Sequence, residues 1–78
     1  MTHVPHELHD EFPEAVETLH RLKLEDAHFA RLAQEYHEVN REIHRIESDV
    51  EAASDARAEE LKKRRLALKD EIAGLLRG

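Results

Sequence analysis

Residues 29–50 read FARLAQEYHEVNREIHRIESDV. In this stretch Phe29, Leu32, Tyr36, Val39, Ile43, Ile46 and Val50 follow one another at alternating steps of 3 and 4. Such a run is the heptad seam of a helix that lays one apolar stripe along a partner helix. Glu35, Glu38, Arg41, Glu42, Arg45 and Glu47 flank the stripe and suit water on the remaining sides. Asp26 stands where an N-cap belongs, with a short carboxylate able to take first-turn N–H groups. The spacing predicts a helix over 27–51.

Downstream, Glu51 to Asp55 (EAASD) breaks the pattern, and Ser54 or Asp55 can cap a further helix over 55–76. Its seam is Ala58, Leu61, Arg65, Leu68, Ile72 and Leu75, again at steps of 3 and 4. A tight connection near residue 53 makes the two helices antiparallel neighbours. Ile46 should then meet Leu61, Val39 meet Leu68, Tyr36 meet Ile72 and Leu32 meet Leu75. Arg65 falls opposite Ile43, its stem along apolar surface and its head within reach of Glu42 or Glu38. Leu66, Ala73 and Leu76 widen the apolar face beyond the seam.

Upstream, a shorter helix is expected over 13–25. Pro13 fits a first helical position, where no N–H is needed, and Glu14 and Glu17 complement the helix dipole. Val16, Leu19 and Leu22 give it a rough apolar face, with Phe12 and Ala15 nearby. Residues 1–12 carry the weakest signal and read as a weakly ordered N-terminus. Pro5 and Glu7 can open a short turn there, and Phe12 precedes a proline and leans extended.

Composition agrees with long helices. The chain has 78 residues, two glycines, two prolines, 38% charged residues and three aromatics. It is too short for a doubly wound α/β enzyme or a (β/α)8 barrel, and too poor in turn residues for a β sandwich. The expected fold is all-α: a short N-terminal helix followed by an antiparallel two-helix coiled-coil hairpin in one domain. Net charge is −6 with neutral histidines, which does not draw the whole chain to phosphate backbones. The charge is uneven: residues 1–26 are net −5, 27–53 net −3 and 54–78 net +2, as suits a chain folded back on itself. Cysteine is absent, which excludes disulfides and thiolate metal sites. No apolar run approaches the ~18 residues of a membrane helix, and no secretory signal opens the chain, so cytoplasm is the default reading.

Several segments together resemble a known family. His6-Glu7-Leu8, Glu11-Phe12-Pro13-Glu14, Leu22-Lys23, Asp26-Ala27-His28-Phe29, Ile46-Glu47 and Leu66-Ala67-Leu68-Lys69-Asp70-Glu71-Ile72 look like the YdcH family of small bacterial proteins of unknown function. The resemblance runs from about His6 to Leu76. The segments around Asp26–Phe29 and Leu68–Glu71 are its more specific parts. It implies a short helix followed by a helical hairpin, and it supplies no activity, cofactor or catalytic residue.

Candidate chemistry is sparse. His3, His6 and His9 have the spacing to share a helical face and hold Zn²⁺ or Ni²⁺ through imidazole, against the plainer reading of a solvated N-terminus. Glu17-x-x-His20 and Glu25-x-x-His28 match the spacing of di-iron bundles, but about one such match arises by chance in a chain this rich in Glu and His. His28 is expected to be bonded locally or solvated, and His37 and His44 to lie on a wet flank. Lys62-Lys63-Arg64-Arg65 is a basic cluster. Its four consecutive residues spray around the helix axis with no aromatic near, so pairing with the acidic helices is favoured over nucleic acid. Ser48 and Ser54 sit on no nucleophile elbow, and a bare two-helix hairpin offers no concave pocket.

The expectation is a non-enzymatic helix–helix interaction or adaptor protein without cofactor, self-associating, with no membrane contact. The alternatives are a nucleic-acid-associated regulator using the basic cluster and a histidine-based metal binder. Two hairpins packed face to face is the favoured arrangement. The competing one folds the first helix across its own hairpin.

Overall fold

A computed structural model describes residues 6–48 and 54–77. All regular structure among these residues is helical: α1 (Leu8–Glu11), α2 (Val16–Glu25), α3 (Ala27–Glu47) and α4 (Asp55–Arg77), with a 3-10 turn at Pro13–Ala15 before α2. The chain is all-α. Val50 and the end expected for the second helix lie outside the described residues, as does His3.

The helix ends follow from their capping chemistry. Asp26 is extended, at φ −125° and ψ 108°, and one of its carboxylate oxygens accepts from the N–H groups of His28 (3.0 Å) and Phe29 (3.1 Å). This break turns α2 into α3 with one intervening residue and satisfies donors that would otherwise be orphaned. Ser54 caps α4 by accepting from Arg57 N–H at 3.2 Å. The last described turn of α3 carries Ser48, whose hydroxyl donates to the His44 carbonyl at 2.6 Å. The expected start of the first helix is modified: Pro13 opens a single tighter turn, and α-helix proper begins at Val16.

The long helices α3 and α4 pack against each other. Glu47 meets Lys62 (3.8 Å), Asn40 meets Arg65 (3.0 Å), Glu35 meets Arg64 (2.7 Å) and His28 meets Glu71 (3.6 Å). The contacts run from Glu47 with Lys62 at one end of the pair to His28 with Glu71 at the other. The core gathers side chains from four segments: Leu8 from α1, Leu19 from α2, Phe29, Leu32, Ala33 and Tyr36 from α3, and Leu68 and Ile72 from α4. Phe12, Leu22, Val39, Leu75 and Leu76 pack at its edges.

Burial along α3 extends beyond the heptad seam. Phe29, Leu32, Ala33, Tyr36, Asn40 and Ile43 are all buried, while Val39 and Ile46 are half-buried. Ala33 and Asn40 stand beside the seam positions Leu32 and Val39, so the buried face broadens on that side of the helix. The cause is that α3 is shared: α4 packs along it, and α2 covers a second flank.

Residues 6–12 are tied to this scaffold. The Tyr36 hydroxyl donates to the His6 carbonyl at 2.6 Å, and Leu8 is buried. His6 lies at φ 65°, in the left-handed region where a histidine is uncommon. The N-terminal helices thus fold across α3, as in the arrangement the sequence ranks second for residues such as Leu19 and Leu22. Leu66 stays outside this packing and is 59% exposed, as are Leu24 (77%) and Val16 (45%).

Candidate functional site

The basic cluster is largely absorbed by the fold. Arg64 donates to Glu35, Lys62 lies by Glu47, and Arg65 donates to the Oδ1 of Asn40. The Arg65 head therefore sits on a buried amide and not on the expected carboxylates: Glu42 takes Arg57 (2.9 Å), and Glu38 accepts from Gln34 (3.4 Å). Asn40 is 1% exposed, the one buried polar residue among those described. Sequence spacing passes over it because an amide adds nothing to an apolar count. Lys63 is left pointing to solvent with no ionic partner among the described residues.

Four of the described histidines lie beside carboxylates. His6 Nδ1 lies 3.1 Å from Glu11, His9 Nε2 lies 3.5 Å from Asp10, and His37 Nδ1 lies 3.2 Å from Glu7. His28 reaches across to Glu71 on α4, where a local or solvated position was expected. His6 precedes α1 and His9 lies within it, so the pair does not share one helical face. Among the described residues no group of three or more His, Asp or Glu is placed to hold a metal ion. Glu17 and His20 lie on α2, whereas Glu25 and His28 straddle the break at Asp26.

Tyr36 joins core and surface. It is 1% exposed, and burial pushes its phenol up to about 12 from its ordinary 10.0. The neighbouring Glu11 carboxylate adds to the rise and the Arg65 guanidinium opposes it. A neutral phenol that donates to the His6 carbonyl is the result.

Concave surface exists, contrary to the expectation for a bare hairpin, because the N-terminal segment leans across the long helices and leaves clefts at its margins. One, of about 380 Å³, lies between α1, α2 and α3 and carries Glu7, His9, His20, Lys23 and His37 on its rim. Another, of about 470 Å³, is more apolar. Phe12, Pro13 and Ala15 form one wall, Ala73 and Leu76 of α4 the other, with Glu14 and Arg77 at the edge. Leu66 lies on the same outer stripe of α4 as Ala73, seven residues and about 10 Å away along the helix. No helix among the described residues is long and apolar enough to cross a membrane.

Comparison with known proteins gives one match. A family model described as "Protein of unknown function (DUF465)" matches residues 29–76, most of α3, the connection and nearly all of α4. No curated protein and no solved structure matches the chain.

Proposed function

The chain belongs to the DUF465 family, and from that premise we propose that it is a small non-enzymatic helix–helix interaction protein that pairs with a second copy of itself. The narrower YdcH resemblance and a bacterial, cytoplasmic setting belong to the same reading. In it α3 and α4 form an antiparallel coiled-coil hairpin, and the outer side of that hairpin is the working surface.

One observation carries the reading. Phe29, Leu32 and Tyr36 of the seam are taken into the chain's own core, yet an exposed leucine, Leu66, and an apolar cleft remain on one side of α4.

A catalytic role has little to work with. Ser48 and Ser54, the serines of the chain, are engaged as helix-end hydrogen-bonding groups. His6, His28 and His37 each face a single carboxylate. The nucleic-acid alternative is weakened because Arg64, Arg65 and Lys62 are engaged by α3. Native mass spectrometry of the full chain tests the proposal. A species of twice 9.1 kDa is expected, and a spectrum holding monomer alone at micromolar concentration overturns it.

A further inference from the structure

We propose that the second copy docks by seating its Leu66 in the cleft between Phe12 and Leu76, in an isologous contact of α4 against α4. This inference rests on the self-association reading above and assigns its surface. Leu66 and the cleft occupy one outer stripe of α4, so a two-fold axis between them, near residue 71, brings each Leu66 to the other copy's cleft at once. The contact closes on itself and leaves no unpaired half to propagate.

Charge complementarity selects a second copy as the occupant. Lys63 lies one turn before Leu66 and has no ionic partner among the described residues. Glu14 stands at the cleft edge and likewise has none among them. In the antiparallel arrangement, Leu66 entering the cleft carries Lys63 past Leu76 toward Glu14 of the other copy. An acidic or neutral apolar partner would leave Lys63 and Glu14 without that reciprocity.

The chain has no cysteine, so introduced thiols report without background. An equimolar mixture of Lys63→Cys and Glu14→Cys chains should form a disulfide-linked dimer on mild oxidation. Leu66→Glu puts a carboxylate into the apolar cleft beside Glu14 and should weaken the dimer by at least about tenfold. Because Leu66 is mostly exposed, helical circular dichroism should be unchanged. Leu24→Glu, at a still more exposed leucine on α2, should leave the mass at the dimer value. Glu14→Lys should weaken the dimer, and Glu14→Lys with Lys63→Glu should restore it. A wild-type monomer overturns the self-association reading itself. A wild-type dimer that persists with Leu66→Glu, or that Leu24→Glu disrupts equally, overturns only this docking surface.

Discussion

Tyr36 shows how much of the structure a single residue carries. Its ring fills the core where α3 meets α1, and its hydroxyl holds the His6 carbonyl at a left-handed backbone position. Burial raises its phenol to about 12, so the folded state keeps a proton that an unfolded chain gives up near 10.0. The sign follows directly. The stabilisation is fully present below about pH 10 and is lost as pH climbs toward about 12, to a limit of roughly 2–3 kcal/mol. Because Tyr36 is the lone tyrosine and tryptophan is absent, an ultraviolet titration reads this one group. A midpoint near about 12 is expected, with loss of helical signal over the same range; a midpoint at 10.0 in folded protein contradicts the burial. Tyr36→Phe should cost about 0.5–1.5 kcal/mol and raise hydrogen exchange selectively in residues 7–12. Asn40 and Arg65 make a second residue-scale device. Asn40→Leu strands a half-buried guanidinium and should cost about 1–3 kcal/mol in chemical denaturation, whereas Asn40→Leu with Arg65→Met should recover most of it. A double variant no better than the single one rules out the pairing as the cause.

At the scale of elements, the helices and their order were readable because capping residues and apolar spacing are local signals. Asp26 caps α3 and Ser54 caps α4, as their side-chain chemistry dictates. What spacing could not convey was which face of α3 wins. Ala33 is small and Asn40 is polar, so neither marks a stripe, yet both are buried while Val39 and Ile46 are only half-buried. The decision is made by α2 and α1, whose docking depends on contacts distant in sequence. Leu8 escaped notice for the same reason: a lone leucine in a short turn has no periodicity. The candidate site was less legible still, since the clefts exist only once residues 6–15 lean on the long helices. Two substitutions separate the buried flank of the seam from its half-buried end. Ala33→Asp should lower the melting temperature more than Ile46→Asp, the reverse of what a strict heptad seam requires. Ile43→Asp, at 2% exposure, should lose most helical circular dichroism at about 25 °C. A variant as helical and as thermally stable as the parent contradicts the packing described.

For the molecule as a whole, the apolar material falls into a buried set and an exposed set. The stripe of α3 and its partners on α4 build a core that the N-terminal helices complete, which a 78-residue chain needs because so short a chain buries only ~60% of its unfolded surface. Leu66 and the cleft by Phe12 and Leu76 remain on the outside, with Lys63 and Glu14 beside them. His6, His9, His28 and His37, each beside a carboxylate, and the basic cluster, mostly engaged by α3, serve the chain's own architecture. The central claim is therefore that the outer face of α4 serves association and not folding. Sedimentation equilibrium across a micromolar dilution series, with circular dichroism on the same samples, tests it most directly. The account predicts a mass near twice 9.1 kDa that falls toward 9.1 kDa on dilution while helicity stays constant. A chain that is monomeric at every concentration and fully helical throughout would contradict it.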